Sequence, residues 1–235
     1  MSVVLLLHAF PLDARMWEAQ VPFLEQAGYE VIAPSLPGSE AEPGLGSWAR
    51  RILDLVPGDF VPVGISMGGY LTFELWRRAR ERIPAMALLD TRANADDEVG
   101  RAGRVETIRL LREEGFEAFW AVQERKLFGP GAPEEVVARG RGLAAEQPLG
   151  SLVTTVETLR DRPDSTGTLR EIRVPTLVLV GEEDSLTPPS AAKQIVDGLA
   201  EPRYVELAGA GHLTPLERPA EVNQELYLFL QEALG

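Results

Sequence analysis

Cysteine is absent from the 235 residues. That one absence removes disulfides, thiolate metal sites and a cysteine nucleophile together, while leaving the redox compartment open. Histidine is almost absent: His8 and His212 are the only two, so any chemistry that needs an imidazole must use one of them. Positive charge is scarce as well, with 23 Lys and Arg against 36 Asp and Glu, a formal charge of −13. Phosphate backbones and anionic lipid surfaces call for a basic footprint, so neither nucleic acid nor a membrane is expected as a partner. The opening stretch Met1–Leu7 has no basic leader and is too short and bare for a signal peptide or a span. A cytoplasmic protein is expected, with that stretch as a buried strand. Lysine occurs only at Lys126 and Lys193, and asparagine only at Asn94 and Asn223. So few thermolabile side chains suit a thermophile, and genome base composition accounts for the arginine bias equally well.

What the chain does have is apolar material in short blocks. A hydrophobic share of 45% beside 25% charged residues suits one α/β domain with room for an inserted segment. Apolar runs alternate with helix-length segments, the pattern of a parallel sheet buried on both faces. Strands are expected at Val3–Leu7, Tyr29–Ala33, Phe60–Val63, Ala85–Leu89, Thr176–Val180 and Arg203–Leu207. Helices are expected at Met16–Ala27, Ser47–Leu55, Gly69–Arg80, Ser190–Leu199 and Ala220–Ala233. From Asp90 to about Arg173 the alternation stops. Val105, Ile108 and Leu111, then Phe116, Phe119 and Trp120, recur at helical spacing, and Glu134–Ala145 and Leu152–Leu159 read as helices too. The expected organisation is therefore a core of residues 1–90 and 174–235 with a helical cap inserted at 91–173, where it would cover a site at the strand ends.

Between the strand at Phe60–Val63 and the helix that follows lies Gly64-Ile65-Ser66-Met67-Gly68-Gly69. Gly-x-Ser-x-Gly in that context is a nucleophile elbow, a turn so sharp that the serine is strained and its hydroxyl stands clear of the sheet. Side chains at Gly64 or Gly68 would meet backbone. The helix after the turn directs its free N–H groups toward the serine, where negative charge would develop.

A serine hydroxyl needs a base, and the base needs an orienting acid. His212, in Ala208-Gly209-Ala210-Gly211-His212 after the last strand, is favoured over His8 by the chain order Ser, Asp, His. Two aspartates compete for the acid. Asp184 lies in Gly181-Glu182-Glu183-Asp184 after the penultimate strand, the usual position in this arrangement, and Asp90 caps an earlier strand at the same end of the sheet. Asp184 is preferred, with Asp90 as a structural residue at the root of the insertion. Two N–H groups are required for an oxyanion hole, and Met67 and Phe10 are the candidates, the latter held by Pro11. No metal or organic cofactor is expected, since no phosphate-cradling loop occurs and both histidines have other uses.

Taken together, Val4–Leu12, Gly64–Gly69, Gly181–Pro188 and Gly211-His212 with Glu217-Arg218-Pro219 resemble the α/β-hydrolase superfamily from Val3 to the C-terminus. Within it the chain is most similar to the 3-oxoadipate enol-lactonase and small carboxylesterase branch, which Asp90-Thr91-Arg92-Ala93 also resembles. The resemblance implies an α/β-hydrolase fold with a mostly parallel sheet of about six strands. It implies a serine hydrolase acting on a carboxylic ester or lactone through an acyl-enzyme. Thioesterases, C–C bond hydrolases, perhydrolases and hydrolase-like ligand receptors are the alternatives on the same framework. A small molecule is the expected partner, and the protein itself is expected to be a monomer or homodimer. Phe10, Met67, Phe116, Phe119, Trp120 and Phe128 are candidate walls of an apolar pocket, and Arg92 a candidate for a substrate carboxylate; the cap aromatics also suit a core role. Three departures stand out. Ala9 replaces the usual glycine. Serine rather than aspartate at the nucleophile argues against haloalkane dehalogenases and epoxide hydrolases. The first strand read here is the third of the family, so a sheet lacking the two antiparallel strands is expected, with Tyr29–Ala33 at its edge, short and covered.

Overall fold

Six strands form one sheet in the computed structural model, which describes residues 3–36 and 42–235. They are β1 (Val3–Leu7), β2 (Val31–Ile32), β3 (Phe60–Ile65), β4 (Met86–Leu89), β5 (Thr176–Gly181) and β6 (Pro202–Leu207). Their order across the sheet is β2-β1-β3-β4-β5-β6, and every pairing among the described residues is parallel. Parallel neighbours need crossovers, and helices supply them on both faces. Three of these precede β4: α1 (Gln20–Gln26), α2 (Leu45–Leu55) and α3 (Met67–Ala79). Between β4 and β5 lie α4 (Glu98–Arg109), α5 (Gly115–Leu127), α6 (Glu134–Ala145), α7 (Leu149–Arg160) and the single turn α8 (Thr166–Leu169). The chain finishes with α9 (Pro189–Gly198), the short α10 (Thr214–Glu217) and α11 (Pro219–Leu234).

The uninterrupted apolar strands follow from this layering. Val3, Leu5 and Leu7 pack into one layer with Trp48, Ile52, Phe73 and Ile195. Val4 and Leu6 pack into the opposite layer with Leu24, Leu226 and Phe229. A strand's side chains alternate between faces, so with both faces covered both phases of the alternation are apolar. A third cluster, Ile108, Leu111, Phe119, Leu152 and Val156, sits among α4–α7 and reaches Phe10.

Two elements differ from the expected outline. The edge strand is shorter than Tyr29–Ala33: only Val31 and Ile32 pair, opposite Val4 and Leu5, and both are half-buried. A two-residue edge gives an incoming strand little to pair with, so brevity does most of the work assigned to cover. The helix expected over Met16–Ala27 is two pieces, a 3-10 turn at Ala14–Trp17 and then α1. Pro22 explains the break, because a helix running on from Met16 would need an N–H there to bond Glu18 O. Asp13 opens the first piece by accepting Arg15 N–H at 2.9 Å. Within the interval between β4 and β5, one π-helical turn (Leu110–Glu114) precedes α5, and Gly115 takes φ 81 at the junction. Among the described residues no helix is long and apolar enough to cross a membrane.

Candidate active site

β3 ends directly in the turn that holds Ser66. Its backbone lies at φ 51, ψ −112, a region non-glycine residues rarely enter. Several bonds hold it there. Ser66 N–H donates to Leu89 O at 2.9 Å, and Ser66 O accepts from Thr91 Oγ1 and from the N–H groups of Gly69 and Tyr70 as α3 begins. Both glycines of the elbow are needed for close approach: a Cβ on Gly64 would lie 2.3 Å from Gly68 O, and one on Gly68 would lie 2.0 Å from Leu7 O.

The structure brings Ser66, His212 and Asp184 into one hydrogen-bonded line. Ser66 Oγ lies 2.8 Å from His212 Nε2, and His212 Nδ1 lies 2.8 Å from Asp184 Oδ2. With the proton on Nδ1, that nitrogen donates to Asp184 and Nε2 is left to accept the serine proton. Asp184 is itself fixed, since its Oδ1 accepts the N–H groups of Leu186 (2.8 Å) and Thr187 (2.9 Å) and its Oδ2 accepts the Thr187 hydroxyl (2.6 Å). The His212 loop is fastened on both sides. His212 N–H donates to Leu127 O at the end of α5 (3.1 Å). Buried Glu217 accepts from Gly211 N–H (3.0 Å), Leu213 N–H (3.2 Å) and Gly129 N–H (2.9 Å).

The two competing aspartates separate in charge. Burial, reinforced by the Asp184 charge, pushes the Asp90 carboxyl well above the usual carboxylate range, against the bonds it receives from Thr214 and Gly181. Burial acts upward on Asp184 too, but the charge and hydrogen bond of His212, with those of Thr187, hold it below that range. Asp184 is the one kept ionised beside the imidazole. Asp90 instead clamps two loops, its Oδ1 accepting Gly181 N–H (2.9 Å) and its Oδ2 the Thr214 hydroxyl. His8 makes no hydrogen bond to this line: Nε2 accepts Leu36 N–H (2.8 Å) and Nδ1 donates to Ala9 O (3.0 Å). Its pKa falls to about 4, chiefly through burial, so it is a neutral tie across the loop after β1.

Phe10 follows β1 and Met67 follows Ser66 in the elbow, and neither N–H is used in a turn or loop hydrogen bond among the described residues. The Phe10–Pro11 peptide is cis, and Leu12 N–H closes the turn onto Ala9 O at 3.0 Å. A narrow cavity of about 60 Å³ opens at Ser66 and His212, with Phe10 and Arg92 in its wall. A second, of about 120 Å³, lies beyond Phe10 and includes Met67 and His8. Phe116, Phe119, Trp120 and Phe128 line neither. Those four rings pack on each other and into the core instead, Phe116 stacked on Trp120 at 6.0 Å and Trp120 edge-on to Phe128 at 6.4 Å. Aromatic bulk at helical spacing marked a packing face.

The lining residues not foreseen from the sequence are Tyr70, Arg104, Gln123, Leu127, Leu159, Leu186 and Thr187. Two carried a usable signal: Gln123 and Leu127 follow Phe119 at i+4 and i+8, on one stripe of α5. Tyr70, one turn after Ser66 on α3, could have been found the same way. Among the described residues no group of three or more His, Asp or Glu side chains is arranged to hold a metal ion.

Residues 4–225 match the sequence profile described as the alpha/beta hydrolase family. Pimeloyl-(acyl-carrier protein) methyl ester esterase of Aromatoleum aromaticum is 24% identical over 242 residues, covering 93% of this chain and 94% of that protein. A thermophilic esterase from Thermogutta terrifontis, solved with malate bound, is 30% identical with a TM-score of 0.92, covering 100% of this chain and 91% of its own. The enol-lactonase from Burkholderia xenovorans LB400 has the same fold at a TM-score of 0.87 and 23% identity, covering 98% and 91%.

Proposed function

The chain belongs to the alpha/beta hydrolase family, and we propose that within it this protein is a serine hydrolase of carboxylic esters or lactones. One observation carries the reading: a serine in a strained turn, at the N-terminus of α3, 2.8 Å from an imidazole that a buried carboxylate holds at 2.8 Å. Ser66 Oγ attacks the carbonyl carbon while its proton passes to His212 Nε2. The oxyanion takes hydrogen bonds from the Phe10 and Met67 N–H groups. His212 then returns the proton to the leaving oxygen as the C–O bond breaks, leaving an acyl-serine. Water attacks the acyl carbon, again giving its proton to His212, which passes it to Ser66 Oγ as the carboxylic acid departs. Asp184 stays ionised throughout and stabilises the imidazolium. In a lactone, the leaving oxygen remains on the acyl chain.

Esters rather than another acyl class are favoured because the methyl ester esterase and the thermophilic esterase align over nearly all of this chain. In this reading residues 91–173 act as a cap over the strand ends, and the reaction needs no cofactor. The substrate is a small molecule met in the cytoplasm.

The test is twofold. Ser66→Ala is expected to abolish hydrolysis of short 4-nitrophenyl esters without changing the thermal midpoint by more than a few degrees. A fluorophosphonate is expected to add one label to the peptide containing Ser66. Turnover retained by Ser66→Ala would remove the serine from its role. An unlabelled wild-type protein would favour a ligand-binding receptor.

A further inference from the structure

Among the described residues only two that are not glycine take a positive φ, Ser66 at 51 and Asp90 at 42. They are neighbours across the sheet. Ser66 follows Ile65 of β3, Asp90 follows Leu89 of β4, and Ile65 and Leu89 are partners in register. A backbone region that side-chain-bearing residues rarely enter is thus occupied twice at one point. We propose that Thr91, the next residue, is a positioning residue for the nucleophile: its hydroxyl holds the Ser66 peptide so that Oγ stays in line with His212. This rests on the serine hydrolase reading and adds a residue to its machinery.

The bonds to the Ser66 peptide are of two kinds. Ser66 O accepts Gly69 N–H at 2.9 Å and Tyr70 N–H at 3.2 Å, both from the first turn of α3. That helix begins at the serine, so these bonds move with it and fix nothing relative to the sheet. The other two cross to the end of β4. Leu89 O accepts Ser66 N–H at 2.9 Å, and Thr91 Oγ1 donates to Ser66 O at 2.9 Å. Residues 89 and 91 therefore grip the serine from its two ends, and the bend at Asp90 lies between them. A strained residue keeps its geometry only where its surroundings over-determine it. Thr91 is the side chain that does this from outside the helix.

Thr91 has little freedom of its own. It is 2% exposed, and a Cβ on Gly69 would lie 2.5 Å from its Oγ1 and 2.6 Å from its Cγ2. A branched Cβ pressed against the helix in this way restricts χ1 and keeps the hydroxyl aimed. The same three residues also reach the other members of the triad. Asp90 Oδ1 accepts Gly181 N–H at 2.9 Å, where the Asp184 turn begins, and Asp90 Oδ2 accepts the hydroxyl of Thr214, two residues after His212. Leu89–Thr91 is thus bonded to all three segments that carry the chemistry, and Thr91 is its side-chain contact with the nucleophile. Small displacements of a reacting atom are costly, and the Oγ to Nε2 approach of 2.8 Å leaves no slack to absorb one.

The experiment measures hydrolysis of 4-nitrophenyl butyrate and the rate of inactivation by a fluorophosphonate. Thr91→Val keeps the shape and removes the donor, and kcat is expected to fall about tenfold to a hundredfold. Thr91 lines neither cavity near Ser66, so KM should stay within about twofold of wild type. Inactivation, which needs Ser66 and His212 but no leaving alcohol, should slow by the same factor as kcat. Thr91→Ser keeps the hydroxyl and should recover kcat to within about threefold of wild type, the remainder reflecting the lost methyl. Thr176 is the control: 1% exposed, at the opposite end of the sheet, its hydroxyl donates to Val174 O at 3.0 Å. Thr176→Val should lower the thermal midpoint much as Thr91→Val does and leave kcat and inactivation unchanged. Wild-type rates in Thr91→Val, or an equal loss in Thr176→Val, overturn the positioning role and leave the hydrolase reading standing. If Thr91→Val does not fold, Thr91→Cys, a weak donor of similar size, replaces it, and a kcat equal to that of Thr91→Ser overturns the role. A wild-type protein that neither turns over nor is labelled overturns both.

Discussion

Glu217 ties the His212 loop to the end of α5, although it touches none of the reacting atoms. Its carboxylate is buried and pairs with no cation among the described residues. Its partners are three backbone N–H groups: Gly129 at 2.9 Å, Gly211 at 3.0 Å and Leu213 at 3.2 Å. Two of these flank His212, and the third belongs to the segment joining α5 to α6. Glu217→Ala orphans all three. Each buried N–H left without an acceptor costs about 1–3 kcal/mol. Relaxation and water entry recover part of that, so a loss of about 3–5 kcal/mol is expected, at the large end for one substitution. Glu217→Gln keeps the shape and still satisfies the two N–H groups at Oε2. Its amide, however, turns a donor toward Leu213 N–H in place of an acceptor, and about 1–3 kcal/mol should go.

For a chain of this length each kcal/mol shifts the thermal midpoint by about 2–4 °C, so both variants are resolvable by calorimetry and by urea denaturation. Kinetics should be read well below both midpoints. If Glu217 positions His212, kcat falls in Glu217→Gln while KM barely moves, because the substrate contacts are intact. Glu117, an exposed partner of Arg141, is the control, and Glu117→Gln should change nothing measurable. Glu217→Gln with wild-type midpoint and wild-type kcat would refute the argument, since the three N–H groups would then have other acceptors.

Two further predictions follow from the charges at the site. Asp184→Asn should lower kcat about 10³–10⁴-fold by presenting the wrong partner to His212 Nδ1, whereas Asp90→Asn, replacing a carboxyl that burial pushes toward its neutral form, should stay within about tenfold of wild type; the reverse order in steady-state assays would exchange their roles. His8, with a pKa lowered from 6.5 to about 4, ties stability to pH: the unfolded chain takes up a proton below 6.5 and the folded chain resists until about 4, so stability present above 6.5 drains by about 3 kcal/mol over that interval. Asp90, raised rather than lowered, acts in the opposite sense across the acid range. The quantity to measure is therefore the difference in unfolding free energy between wild type and His8→Gln, which should shrink as pH falls from 7 to 4; a constant difference would contradict a buried neutral His8.

The strands and the elbow were legible because their signals are local. Val3–Leu7 matches β1 residue for residue, and the turn at Ser66 needs glycines where Gly64 and Gly68 stand, since a Cβ at either would strike backbone. Two histidines in the whole chain made the base nearly a forced choice. The cavity wall was legible only in part: Phe10 and Arg92 were candidates, Arg104 and Gln123 were not. It is assembled from Phe10 after β1, Arg92 after β4, Arg104 on α4 and Gln123 on α5, and no spacing rule links those positions. The aromatic residues of α5 drew attention through their size. Size is what a helix spends on packing, and Phe119 is wholly buried. Side chains that reach the cavity are the less conspicuous ones about one and two turns further along, Gln123 and Leu127.

The segment between β4 and β5 is hydrogen-bonded to the loop that carries His212. His212 N–H is accepted by Leu127 O, and Gly129 N–H shares Glu217 Oε2 with Gly211 N–H. Leu127 also lines the cavity. Gly211 has no room for a side chain, since a Cβ there would lie 2.1 Å from Gly129 N, so the loop carrying the imidazole and the end of α5 are pressed backbone to backbone. A helix that moved as a free lid would drag the base away from Ser66. The C-terminal end of α5 must therefore stay with the core while substrate enters.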